Sequence, residues 1–349
     1  MRLGLIARAD TTGLAVQCHE FWRHMQPAKT LVIAATWNPH MPCDESMYPG
    51  ATIHRECKCT DTPRPDPVMD AFLDDLDIVF TAETFYNTWL VKRASERKIK
   101  TVQQYNFEFL DTTRAAPQPT LYAAPSMWRF HDVPFHNKAF LPVPVARDRL
   151  PFRQRTGLKT LLHVAGIPAV HDRNGSQLVM EAMRHLPDDV DVKLRVRTQE
   201  VIPGKLRDPR IEIVTNRIDR YWKLYGDEDV FVMPRKFGGL CLPLAEAASC
   251  GMPTLMSAVD PQIRFLPGRA LIPSRVMREF QVRSRIVLHE TNAEDIARRI
   301  TELYRNPDEV AALSRAVDRY ADSISWDRLK PFYVSTFERV CNGEEVWVQ

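Results

Sequence analysis

No apolar run in this chain approaches the roughly 18 residues that cross a bilayer, so a helical membrane span is excluded. The opening residues, MRLGLIARAD, enter a strand rather than the apolar centre of a secretory signal, and a cytoplasmic location is expected. Cysteine is sparse and unpatterned. Its seven positions, 18, 43, 57, 59, 241, 250 and 341, form no framework, and the odd count points to reduced thiols. Charge of one sign is also missing: 47 basic against 44 acidic residues leave a net +3, which neither demands nor excludes a polyanionic partner. The first strand-to-helix turn lacks G-x-G-x-x-G, which counts against a dinucleotide-dependent oxidoreductase or a sugar-nucleotide epimerase.

What remains is a chain of 349 residues, long enough for two α/β domains of about 150 residues each. Apolar runs at Leu3–Ala7, Leu31–Ala35, Asp77–Thr81 and Thr101–Gln103 alternate with polar or helical segments, which implies a parallel sheet. The runs at Thr160–Ala165, Val192–Val196, Ile211–Val214 and Val230–Met233 imply a second one. Between them, Phe140–Phe152 is punctuated by proline, and the boundary is expected near Leu150. The most informative segment is VFVMPRKFGGLCLPLAEAASCGMPTLMSAVD, from Val230 to Asp260. It reads as a buried strand stopped by Pro234, a loop in which Gly238 and Gly239 admit a close ligand, and a helix opening near Leu242. The free N–H groups and positive dipole end of that helix suit an anion such as a diphosphate.

This segment resembles the donor-binding signature of GT-B glycosyltransferases of the family 4 type. Aligned without gaps, Glu246 falls on the family's second Glu, which resembles a ribose ligand, and Gly251, Met252 and Pro253 match the following G-x-P turn. The position of the family's first Glu is Gly238 here. The resemblance implies an α/β fold of GT-B architecture, two Rossmann-like domains facing a central cleft. Residues 1–150 would form the acceptor domain, joined by a C-terminal helix in 326–349, and residues 151–325 the donor domain. It also implies transfer of a hexosyl or pentosyl group from a nucleotide sugar, UDP-sugar being the expected donor, to an acceptor hydroxyl, with retention and without a metal or further cofactor. The diphosphate would meet Gly13, the backbone of Gly238, Gly239, Leu240, Cys241 and Leu242, and Arg173 with His171 as the cationic pair.

In the first domain the family carries a His-x-His-acid cluster where this chain has Phe80, Ala82 and Glu83. Glu83 either orients and deprotonates an acceptor hydroxyl or caps a helix starting near Phe85. Asp10, Gln104, Asn106 and Glu108 lie at strand ends, where they either bind the acceptor or form a loop with internally satisfied groups. RADTTGL and QQYNFEFLD are similar to segments of bacteriophage glycosyltransferases, which implies an acceptor in hydroxymethylated phage DNA, or else a virion protein or a glycan, in the host cytoplasm. Arginines at 147, 149, 153 and 155 either line a cleft against DNA phosphate or belong to a solvated linker. His40, Cys43, His54, Cys57 and Cys59 offer zinc-type ligands. The Cys-Lys-Cys spacing is read as poor for one tetrahedral centre, and a solvated connecting loop is expected instead. A non-catalytic nucleotide-sugar binding protein is the reading of a different class, motivated by Gly238 and the missing histidines.

Overall fold

The computed structural model describes residues 1–34, 42–113, 115–166, 172–202, 208–216, 218 and 220–346. The chain divides into two compact units, residues 1–143 with 326–349 and residues 144–325. The expected boundary near Leu150 thus falls earlier. Val145 already bridges to Ser325, and Leu150 is fully buried in the second unit's core.

Unit 1 begins with β1 (Leu3–Ala7), every residue of which is buried, and α1 (Gly13–Met25). Thr12 caps α1, its hydroxyl accepting from the Ala15 amide. Then follow β2 (Lys29–Ile33), β3 (Thr52–His54), α2 (Pro67–Phe72), β4 (Ile78–Thr81), α3 (Trp89–Glu96), β5 (Lys100–Gln104), β6 (Leu121–Ala124) and β7 (Lys138–Phe140). All pairings are parallel, in the order β3-β2-β1-β4-β5-β6-β7. Strands covered on both faces need unbroken apolar runs, which is why β1 and β4 read as such.

Unit 2 contains β8 (Thr160–Gly166), α4 (Ser176–Ala182), β9 (Lys193–Thr198), β10 (Ile211–Thr215), β11 (Val230–Met233), α5 (Leu242–Ser249), β12 (Thr254–Ser257) and β13 (Leu271–Ile272). Its parallel sheet has the order β10-β9-β8-β11-β12-β13. An antiparallel hairpin, β14 (Arg275–Gln281) and β15 (Arg285–Glu290), precedes α6 (Ala293–Arg305) and α7 (Pro307–Ser323). Ile296, Ala297, Ile300 and Leu303 form the buried stripe of α6, at the spacing of a helix face.

The last helix, α8 (Trp326–Asn342), returns to unit 1. Its Trp326, Tyr333 and Phe337 close an aromatic cluster around Phe21 and Phe80, whose rings stack 4.2 Å apart. In each sheet the strand order reverses at one place, between β1 and β4 in unit 1 and between β8 and β11 in unit 2. Open α/β sheets bind ligands beyond the carboxyl ends of the strands at this switch point.

Candidate functional site

The switch point of unit 2 is built from two loops that touch. Gly175, at φ +72°, lets the end of the β8–α4 loop lie against the end of β11. A Cβ there would sit 2.5 Å from the Pro234 carbonyl oxygen. The Lys236 amide donates to the Arg173 carbonyl at 2.8 Å and ties the loops together. Asp172 closes the N-terminus of α4 by accepting from the Ser176 and Gln177 amides at 2.9 and 3.1 Å. The N-terminal amides of α4 are therefore occupied. Those leading into α5 are not: the N–H groups of Gly238, Gly239, Leu240 and Cys241 donate to no acceptor among the described residues.

Two guanidinium groups converge on this loop. A Cβ added at Gly238, where φ is +110°, would collide with Nη2 of Arg173 and lie 2.5 Å from Nη2 of Arg235. Arg173 lies on the Phe237 ring, 5.0 Å from its centroid, and Phe237 in turn packs edge-on against Phe280 of β14. Arg235 is 4% exposed and donates to the Leu240 carbonyl, while its Nε has no partner among the described residues. Two like charges held side by side, with open backbone amides beside them, match an anion of two negative charges. The sequence reading missed Arg235. Its only sequence signal is its place directly after Pro234.

Glu246 lies one turn inside α5, 6% exposed, and accepts a hydrogen bond from the buried Tyr225 hydroxyl. Burial and the neighbouring carboxylate push the Tyr225 phenol well above its ordinary pKa, so it remains a donor. Below the loop, His163 is completely buried between the Val232 carbonyl and the Ser176 hydroxyl, each 2.8 Å from a ring nitrogen. Desolvation lowers its pKa and keeps it neutral. The expected second cation of this loop, His171, lies outside the described residues, as do Ala35 and His40.

At the switch point of unit 1 the structure brings some expected residues together and removes others. Glu83 does not cap a helix starting near Phe85, because α3 begins only at Trp89. Instead it accepts from Asn106 Nδ2 at 2.8 Å, and Gln103 holds its backbone carbonyl. Asp10 is turned inward, accepting from Arg8 at 2.5 Å and from the Thr12 amide and hydroxyl at 2.9 and 2.5 Å. Arg8 and Tyr86, which the sequence reading passed over, are hydrogen-bonded beside it. Gln104 is corrected: it is 1% exposed and spends its amide on Gln17, the Leu141 carbonyl and the Tyr333 hydroxyl. It is a bracket between strand and helices, not an acceptor contact. Glu108 is likewise buried, at 2% exposure. Gly13 is the exposed first residue of α1, after the Thr12 cap.

The four arginines near the boundary do not form a stripe for phosphate. Arg147 pairs with Asp318 at 2.5 Å, Arg149 lies 4.4 Å over the Trp222 ring, and Arg153 pairs with Asp227 at 3.6 Å. Arg155 is buried against the carbonyls of Gly226 and Cys250. The Cys-Lys-Cys segment lies in a largely exposed connection, as expected, with Cys57 buried and Lys58 and Cys59 exposed.

Comparison with known proteins agrees with this geometry. Residues 212–320, which include the β11–α5 loop and Glu246, match the family described as Glycosyl transferases group 1. A search of curated protein sequences finds no match. Among solved structures, the chain is similar to sucrose-phosphate synthase from Thermosynechococcus elongatus, with a TM-score of 0.65 at 12% identity, covering 98% of this chain and 99% of that one. It is similar to HepE of Anabaena in complex with UDP, with a TM-score of 0.67 at 8% identity over 97% and 100% of the two chains. A glycosyltransferase from Rickettsia africae gives 0.62 at 11% identity over 97% and 98%. These likenesses show the fold, two Rossmann-like α/β units of GT-B type. No helix among the described residues is long and apolar enough to cross a membrane.

Proposed function

We propose that this protein is a glycosyltransferase that takes a sugar from a nucleoside-diphosphate sugar, UDP-sugar first, and places it on an acceptor hydroxyl. The observation that carries this reading is the convergence of Arg173 and Arg235 on Gly238 beside the open amides of Gly238–Cys241. That loop lies inside the matched segment. The UDP and UDP-glucose bound by HepE support the choice of base. In this reading the guanidinium groups and the N-terminus of α5 hold the diphosphate, and Glu246, oriented by Tyr225, takes the ribose hydroxyls.

The chemistry follows from the charge. The bond from the anomeric carbon to the diphosphate oxygen breaks, and the charge that develops on that oxygen is held by fixed cations and amides, an electrostatic contribution that needs no divalent metal. The bond to the acceptor oxygen forms on the same face, with retention, and the acceptor proton passes to the departing phosphate. Glu83, held by Asn106, orients the acceptor. For a phage-encoded enzyme acting on hydroxymethylated DNA in the host cytoplasm, the boundary arginines supply no free basic stripe, since they are engaged within unit 2. A virion protein or glycan hydroxyl is the favoured acceptor.

The test is release of nucleoside diphosphate from UDP-, GDP- and ADP-sugars, each alone and with glycan, protein or hydroxymethylated DNA added. Slow release from a UDP-sugar that glycan or protein accelerates supports the reading, and acceleration by DNA alone restores the DNA acceptor. Tight UDP binding with no release under any condition would make the protein a nucleotide-sugar binder.

A further inference from the structure

A cluster of side chains of metal-ligating type stands in unit 1. β3 ends at His54, the connection to α2 carries Cys57 and Cys59, and Asp66 caps α2. The candidate ligand atoms of His54, Cys57 and Asp66 all lie within 4.8 Å of one another. His54 and Cys57 are buried, at 6% and 7% exposure, and Asp66 is 9% exposed. His54 Nε2 stands 2.7 Å from Asp66 Oδ2, and Cys59 lies exposed two residues beyond Cys57 on the same connection.

We propose that His54, Cys57 and Asp66, already gathered, form a structural site for a zinc-class divalent cation, with Cys59 turning in from the adjoining connection as the fourth ligand. Two thiolates, an imidazole and a carboxylate are the donor set that selects such an ion, and four of them complete a closed tetrahedral shell. Ligand bonds of ~2.0–2.3 Å place donor atoms ~3.3–3.8 Å apart, so the three gathered ligands contract by at most about 1 Å, opening slightly between His54 and Asp66, while Cys59 swings in to join them. The cation takes the place of the proton shared by those two residues. Both thiol protons leave to solvent as the sulfurs become thiolates. Asp66 uses only Oδ2 for this, because its Oδ1 accepts from the Val68 and Met69 amides, both at 3.1 Å.

The residues between β3 and α2 form a long connection with little regular structure, the kind of segment that needs an external tie. It also carries load. The Thr60 amide donates to the Tyr86 carbonyl at 2.7 Å, and the Asn87 side chain brackets the Arg64 backbone. The metal would fix the connection and, through it, the β4–α3 segment that bears Glu83 and Tyr86. Asp66 is the ligand that sequence spacing does not single out, since its carboxylate arrives from the helix cap.

The experiment titrates Co²⁺ into reduced, chelator-treated full-length protein. One equivalent bound per chain is expected, with a thiolate-to-cobalt charge-transfer band and tetrahedral ligand-field bands that Zn²⁺ abolishes. Zn²⁺ should also raise the Tm of the same protein. Cys57→Ser and Cys59→Ser should each lose about half of the charge-transfer intensity, the double variant should lose all of it, and Cys341→Ser should keep it. Absence of the band in the folded wild-type protein overturns the proposal, as does a band of undiminished intensity in Cys57→Ser or in the double variant.

Discussion

Gly238→Ala tests the anion site at its narrowest point. The substitution costs stability first: an alanine held at φ +110° is strained by about 1–3 kcal/mol. A domain of ordinary stability, roughly 5–15 kcal/mol, remains folded under that loss. The local effect is larger. The new Cβ would overlap Nη2 of Arg173 and lie 2.5 Å from Nη2 of Arg235, so at least one guanidinium has to swing away by about 1 Å to reach van der Waals distance. A charge-assisted hydrogen bond contributes about 1.5–3 kcal/mol, so losing one weakens UDP binding by about 10- to 150-fold. Uridine has no diphosphate, and its affinity should stay the same. Isothermal titration with UDP and uridine, next to a Tm measurement, separates the two effects. An unchanged UDP affinity in the strained but folded variant, or an equal loss for UDP and uridine, would refute the placement of the diphosphate between these arginines.

Glu246→Gln should weaken uridine and UDP binding alike, by about 1.5–3 kcal/mol, because both ligands carry the ribose; a loss confined to UDP would move Glu246 out of that role. Gln104→Leu leaves Gln17, the Leu141 carbonyl and the Tyr333 hydroxyl without their partner, and a loss of about 1–3 kcal/mol in denaturant unfolding is expected. Its kcat/KM per folded molecule should be unaffected, and a large fall would return Gln104 to the acceptor site. Burial keeps His163 neutral in the folded state, whereas the unfolded chain binds a proton there below about pH 6.5. The unfolded state then holds more protons, so this contribution to stability is complete above pH 6.5 and is lost as pH falls below it toward the depressed folded value. The imidazole resonance of His163 should show no titration step at pH 6.5 in the native protein; a step there would show that the ring is not held neutral.

The strands that position both switch points are written in the sequence as unbroken apolar runs, and β1 and β11 occupy the residues expected of them. A strand covered on both faces has no freedom to be anything but apolar, and the polar segments between such runs leave room only for parallel crossovers. Pro234, Gly238 and the opening of α5 at Leu242 are legible for a similar reason, since backbone conformation there depends on the residue itself. The β14–β15 hairpin is not legible. Most of β14 is exposed, so it shows no two-residue alternation, yet its Phe280 supports the Phe237 ring on which Arg173 rests.

Side-chain partnership is what the sequence leaves open. Gln104 and Asn106 read alike as polar groups after a strand, but Gln104 points into the packing of α1 and α8 while Asn106 meets Glu83. The arginines of residues 147–155 read as a basic stripe, and their charges are spent on Asp318, Asp227, Trp222 and the carbonyls of Gly226 and Cys250. Arg173 and Arg235 come from loops far apart in the chain, and Asp66 reaches His54 from a helix cap. Apolar periodicity and turn chemistry are local properties that a sequence carries residue by residue. Which charges meet depends on the direction of side chains from separate loops, and that is decided only when the sheets bring the loops together.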